Sequence, residues 1–519
     1  MNLVTEPWIP VVKPSGEHRL ASLLEIFTEG RRFSDFAVRP HERIALMRLL
    51  ICIAQAALNG PEDIDSWDEA SKDLSQAAEQ YLEKWRDSFD LFHPEKPFLQ
   101  IPWLTRFDAT DKATPTSKLD SALATGNNST LFDHLGMIAE YREFHPAITA
   151  IMLIAFQNFA QGGGISGAIW VEKPKNFADA PCKPSSMLHA FIRCNTLAET
   201  ICANLLTKDT VNQHFNGKQC WGRPVWEMMP SSVEDKPAIE NATKTYLGRL
   251  VPLARFVRLN AHSGVVLLAS GFEYPRFPEH PAEASATVVI SRDGKERKLL
   301  GAGTKAIWRE LSALIASRKQ GDAGGALTLT NIPESAAFDL WVGALLIHPR
   351  KTAEVLDAVE STFHIPANMR ADNGRASYDK EVHWAERMAS RLAWAVETYR
   401  EQIDSGWQAR VKMAGANKNQ LRGQLHATAT RHYWTAVEKL RPSLMDHVAA
   451  IGTTAEAVEQ TRSVWRKAVH GAAREAYKLA CGQETPRQMR AFALGWDKLF
   501  AQSKRETEPE EPEAEEMEE

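Results

Sequence analysis

Six cysteines in 519 residues are few and scattered, at Cys52, Cys182, Cys194, Cys202, Cys220 and Cys481, and no two stand at C-x-x-C spacing. This excludes a zinc ribbon and a disulfide-scaffolded secreted domain. No apolar run approaches the roughly 20 residues of a membrane-spanning helix; the best candidate, around Ile148–Phe156, is far too short. The opening MNLVTEPWIP carries an acid and no basic n-region, unlike a secretory signal, so a cytoplasmic location without membrane contact is expected. Enzymatic signatures are also missing: there is no G-x-x-x-x-G-K-[ST], no H-E-x-x-H and no G-x-S-x-G. None of the 16 histidines stands at i, i+4 from another, and His93-Pro94-Glu95 is the nearest approach to a metal half-site. We therefore expect no catalytic residue, no metal and no cofactor, and a binding role.

Acids and bases nearly balance, 66 against 61, for a net charge of −5, but they are unevenly spread. Glu506–Glu519 (ETEPEEPEAEEMEE) holds nine glutamates and no base. Residues 376–505 hold 21 Lys/Arg against 13 Asp/Glu, and residues 1–375 sum to −4. That is a basic module with an acidic tail.

At 44% apolar and 24% charged the chain reads as globular, with more than one domain. Residues 1–365 read as mixed α+β. Trp8–Val12 reads as a short edge strand ended by Pro14-Ser15-Gly16. Arg43–Leu58 and Ala147–Phe159 read as buried helices, and Trp67–Phe89 as an amphipathic one. Val265–Leu268 and Ala286–Ile290 are β-rich, and Ser291–Lys295 suits a hairpin turn before Arg297–Leu300. Pro366–Ser377, polar with Pro and Gly, reads as a linker. Beyond it, faces recur at helical spacing: Val382, Ala385, Met388, Ala389, Leu392, Ala395, Val396 and Tyr399; Tyr433, Val437, Leu440 and Leu444; Val458, Trp465, Val469, Ala472 and Ala476. A last helix starts at Thr485-Pro486 and runs through Met489, Phe492, Trp496 and Leu499. The fold class is thus α+β, a large mixed N-terminal domain (1–368) followed by a C-terminal four-helix bundle (376–505), with a disordered acidic tail (506–519).

Three local features bear on binding. Gly162-Gly163-Gly164 removes every side chain and lets another backbone approach closely, although such a run also fits a helix cap and connector. Between Asp404 and Glu438 lie 33 residues without a carboxylate. They include Arg410, Lys412, Lys418, Arg422 and Arg431, with His426, His432, Trp407, Tyr433 and Trp434. This suits a phosphate backbone with aromatics for stacking, or equally a solvated helix face over core aromatics. His348-Pro349-Arg350-Lys351, between apolar Phe338–Ile347 and helix-like Thr352–Val359, is a basic turn or an exposed helix connection.

Asn2-Leu3 with Trp8–Val11, Leu49–Gln55, Phe89–Gln100, and Ala429–Trp434 followed by Glu438 are similar, in order, to the CasA family. CasA is the large subunit of the type I-E Cascade CRISPR surveillance complex. The resemblance covers residues 1–505 and leaves the tail outside. It implies an α+β domain joined to a four-helix bundle. The implied function is that of a non-catalytic subunit that recognises the protospacer-adjacent motif of double-stranded target DNA, promotes opening and R-loop formation, and steadies the displaced single strand. Sequence would be read by the crRNA. The implied partners are the crRNA, the backbone, small and guide-handle-binding subunits, and a recruited helicase-nuclease.

Position by position, the resemblance places Asn128, Phe132, Asp133 and His134 on the family's loop that touches the guide handle and the motif region. The resemblance likewise places Gly162, Gly163 and Gly164 on the family's glycine loop, which enters the minor groove, about 6 Å wide, where bare backbone fits. His348, Pro349, Arg350 and Lys351 fall near a hairpin whose family members carry an Asn and a strand-separating Gln. Here that pair is absent, Pro349 or Arg350 being the wedge candidates, and no lysine stands near His262-Ser263-Gly264 where the family has one. An alternative is a scaffold subunit contacting only protein and crRNA; an enzyme of another kind lacks any constellation. The tail reads as a solubilising extension, whose deletion leaves DNA affinity unchanged, or as a nucleic-acid mimic covering the basic face.

Overall fold

The computed structural model describes residues 1–106, 114–120, 142–162, 168–169, 179–215, 220–261, 263–291, 293–303, 305–318, 323–348, 355–405 and 416–500. The chain divides into two compact units, Met1–Ile365 and Pro366–Glu519.

The first unit is mixed α+β around one large apolar core. Its centre is the helix Pro40–Leu58, in which even Arg43, Arg48 and Gln55 are buried. A buried guanidinium is tolerated only when paired, and Arg48 donates to the Leu250 and Arg249 carbonyls and to Glu283. Glu283 also accepts from Arg249. The two guanidiniums outweigh its burial and hold its pKa down at about 2. Ile64–Lys84 and Pro146–Phe159 pack on this central helix. Ile9–Val12 pairs with His18–Ala21 on one side and, through Val11 and Val12, with Asp35–Phe36 on the other. It is therefore the middle strand of its sheet rather than an edge; Pro10 has no N–H to donate but takes part as an acceptor, its carbonyl receiving the Ala37 amide at 2.9 Å. In the Phe89–Gln100 segment, Gln100 donates to the Leu91 carbonyl and accepts from the Leu259 amide. His93 Nδ1 accepts from the amides of Glu95 and Lys96, so it closes a turn.

Phe338–Ile347 pairs antiparallel with Val355–Ile365 on one edge and with His189–Arg193 on the other. Thr352–Val359, read as helix-like, is thus strand from Val355 onward. Val355, Val359 and Thr362 suit a strand, and pairing along ten residues overrides the local helical pattern. His348–Lys351 accordingly joins two strands and is not a helix connection.

The second unit is helical: Asp372–Ser405, Ala416–Lys439, Arg441–Ala450, Ala455–Ala480 and Pro486–Phe500. The segment read as a linker holds a short turn at Ala367–Met369 and is helix from Asp372. Leu440 interrupts the second helix and Pro442 opens the next, because proline suits a first turn but not an interior. The last helix keeps most of its expected face, Phe492 and Trp496 packing on Tyr477 with ring centroids 4.8 and 6.0 Å away, but not all of it. Met489 is exposed, whereas Ala491, Gly495 and Leu499 are buried. A Cβ on Gly495 would collide with the Tyr477 hydroxyl and stand 2.6 Å from the Ala395 carbonyl, so small residues make this contact. Glu381, buried, accepts two hydrogen bonds from Arg466.

Candidate nucleic-acid interface

The glycine run leaves the apolar helix Pro146–Phe159 on a fastened stem. Ala160 caps the helix, and the returning chain pairs with the outgoing one: Ala180 N–H donates to the Ala160 carbonyl at 2.9 Å and Cys182 N–H to that of Asn158 at 3.2 Å. Gln157 and Arg255 exchange two hydrogen bonds, side-chain carbonyl from backbone amide at 3.0 Å and side-chain amide to backbone carbonyl at 2.8 Å. The Arg255 guanidinium, buried, also donates to the Gln161 carbonyl. Burial lowers its pKa to about 10, with Asp179 opposing the shift. At the top of the stem, Gly162 N–H donates to Asp179 Oδ1 at 2.6 Å. The same oxygen receives Lys183 Nζ at 3.1 Å, and Oδ2 receives Arg276 at 3.3 Å. Lys183 is buried, and burial pulls its pKa down while Asp179 raises it.

The segment Asp179–Ser186 links this stem to the strand-338 hairpin. Its far end, Ser186 Oγ, accepts from the Ile347 amide at 2.9 Å, next to His348. Seven residue steps span at most about 25 Å, so the glycine stem and the hairpin end occupy one region of the first unit. Ser185 and Ser186 both hold positive φ, +59° and +51°, in this link, a conformation that side chains other than glycine rarely adopt. A cleft of about 730 Å³ adjoins the stem, shares Asp179 and Arg276 with it, and carries Lys295, Arg297 and Lys298 from the Val288–Leu299 hairpin. The expected turn there is present, with Gly294 at φ +72°.

In the bundle, Arg431 and His432 are exposed on Ala416–Lys439. Tyr433 is buried and donates its hydroxyl to the Ala385 carbonyl at 2.7 Å, so it is core and not a stacking platform. His426 meets Glu397 at 3.0 Å, so a neighbouring helix supplies an acid that the carboxylate-free stretch itself lacks. Lys418 and Arg422 lie on this helix; their side chains are outside the described residues, as are Arg410, Lys412 and Trp407.

A family model, CRISPR-associated protein Cse1, matches residues 2–476. The chain belongs to the Cse1 family. It is 26% identical to the CRISPR-associated protein CasA/Cse1 of Thermus thermophilus over 513 residues, covering 92% of this chain and 91% of that protein. Its fold matches the crystal structure of Thermus thermophilus CasA with a TM-score of 0.74 at 22% identity, covering 96% of this chain and 98% of the other. A chain of a CRISPR RNA-guided surveillance complex matches with a TM-score of 0.70 at 18% identity, covering 96% and 99%. The α+β unit with a helical bundle is therefore the Cse1 fold.

Of the family-derived positions, Gly162 and His348 stand in the described residues, at the stem and at the hairpin end. Gly163, Gly164, Pro349, Arg350, Lys351, Asn128, Phe132, Asp133 and His134 lie outside them. Sequence reasoning missed Asp179, Lys183, Arg255 and Arg276, whose grouping needs contacts between distant segments. No metal-holding cluster of three His, Cys, Asp or Glu side chains occurs among the described residues. Burial raises the thiol pKa of Cys182 and Cys481 to about 12 and of Cys194 and Cys202 to about 11, far from a reactive thiolate. No helix among the described residues is long and apolar enough to cross a membrane.

Proposed function

We propose that this Cse1-family chain is the non-catalytic large subunit of a type I-E RNA-guided Cascade complex. It recognises the protospacer-adjacent motif of double-stranded DNA through the minor groove, promotes opening and R-loop formation, and helps to recruit a helicase-nuclease. The fastened stem beneath the glycine run carries this reading. A side-chain-free backbone can enter a narrow groove only if its base is rigid, since ordering a loose loop would consume binding energy. Asp179, Lys183 and Arg255 supply that rigidity. Exposed Lys295 beside the stem supplies positive charge for the flanking phosphates, and Lys298, paired with Glu296 at 3.1 Å, stands next to it. The end of the strand Phe338–Ile347 lies in the same region, and a wedge in the run His348–Lys351 that follows it would act on the opened base step. In the bundle, exposed Arg431 contributes attraction to the displaced strand without regard to sequence.

Crosslinking tests this reading against a scaffold that touches only protein and crRNA. A duplex with a photoreactive base in the flanking motif, bound to assembled complex, should crosslink to this chain near residues 162–164. Crosslinks confined to other subunits would establish the scaffold reading.

A further inference from the structure

The bundle carries a second basic surface, on helices other than the carboxylate-free one. Lys380, Arg387 and Trp394 recur at helical spacing on Asp372–Ser405 and are exposed; Arg487, Arg490 and Lys498 do the same on Pro486–Phe500. The two helices run antiparallel, with Tyr399 donating to the Gly482 carbonyl at 3.0 Å and Gly495 seated against Ala395. Ala395 and Gly495 are the chain neighbours of Trp394 and Leu494, so both exposed stripes border one seam. Trp394 is 69% exposed, more than any other large apolar side chain described. Among the described residues no carboxylate pairs with Lys380, Arg387, Arg487, Arg490 or Lys498. Some cations elsewhere in the bundle are matched, as in Lys478–Glu475, Arg466–Glu381 and Arg400–Glu397, whereas Arg431 and Arg474 stand singly on other helices without a carboxylate partner among the described residues.

We propose that this seam is the docking site of the chain's own acidic segment, Glu506–Glu519. Three observations single out that occupant. Nine glutamates without a base complement five unmatched cations. The segment follows the helix that forms half of the seam, with only five residues between it and Phe500. That tether places it at an effective concentration in the millimolar range. The 15-residue helix is about 22 Å long, whereas 14 extended residues reach about 46 Å, so the segment can turn back and cover the whole seam. A merely solvated extension would leave the seam to outside polyanions; a docked one occupies it, and salt releases it.

Zero-length carbodiimide coupling in the full chain tests this, because it joins carboxylates only to amines in contact. Arg490→Lys places an amine mid-seam. Arg474→Lys places one on an exposed face of the neighbouring helix Ala455–Ala480, where Arg474 likewise has no carboxylate partner among the described residues. At about 20 mM salt, coupling to glutamates 506–519 should be at least about five-fold higher in Arg490→Lys, and the excess should vanish near 0.5 M salt, where screening is short-ranged. Equal or absent coupling in both variants at low salt would overturn the proposal and leave the seam to an external polyanion. A preference unchanged by salt would overturn its electrostatic basis.

Discussion

Replacing Asp179 by alanine is the most informative single perturbation of the first unit. The carboxylate accepts from Gly162 N–H at 2.6 Å, Lys183 Nζ at 3.1 Å and Arg276 at 3.3 Å. A hydrogen bond to a charged group is worth about 1.5–3 kcal/mol net. Losing the Gly162 bond alone frees the outgoing chain by about that amount, which duplex binding must then repay. At 1.4 kcal/mol per factor of ten, affinity for motif-bearing duplex falls about 10- to 150-fold. Asp179→Asn keeps an acceptor oxygen opposite Gly162 without the charge, so its loss should be smaller. The assay is titration of assembled complex against labelled duplex, with hydrogen exchange of residues 158–162 measured on the same variants. Faster exchange at Gly162 with unchanged duplex affinity would refute the reasoning, because it would show that stem rigidity does not serve binding.

Further outcomes follow from other parts of the molecule. Burial holds His41, His189 and His214 near pKa 4, below the ordinary value of 6.5. The unfolded chain therefore binds more protons between pH 6.5 and 4. Stability is complete above pH 6.5 and falls on acidification, by about 4 kcal/mol per pH unit at its steepest for the three together. Urea midpoints that do not move between pH 7 and 5 would contradict this. Glu283, held near pKa 2, adds its loss only below the unfolded carboxyl value of about 4.3. In the bundle, Gly471 is helical and a Cβ added there would meet nothing within 4 Å, so Gly471→Ala should stabilise by about 0.5–1 kcal/mol. Gly495→Ala should destabilise by about 1–3 kcal/mol through its clash with Ala395 and Tyr477; thermal melts compare the two. Arg431→Ala should weaken nucleic-acid binding for every sequence and reduce the salt slope by about one. Tyr433→Phe should cost about 1 kcal/mol of stability and leave that slope unchanged.

The fold was legible where hydrophobic pattern decides structure. Arg43–Leu58 and Ala147–Phe159 are buried helices, and the bundle faces centred on Leu392 and Val469 are core. It was illegible where partners decide. Val355–Ile365 has a helix-like start and becomes a strand because Phe338–Ile347 pairs with it residue by residue. The last helix contacts its neighbours through the expected Phe492, Trp496 and Leu499 but also through Ala491 and Gly495, which a search for large apolar residues passes over. Family motifs located the glycine run, but not what holds it. Gln157 and Arg255 are 98 positions apart, and Asp179 and Arg276 97, so their grouping appears only once the chain is folded.

The central claim is that the glycine run meets duplex DNA from its fastened stem. Gly163→Asp tests it most directly, by adding a charged side chain where bare backbone should enter a groove. The variant should assemble with its partner subunits and crRNA as the parent does, yet lose binding to motif-bearing duplex in a gel-shift titration of assembled complex. Full assembly with undiminished duplex affinity would contradict the account.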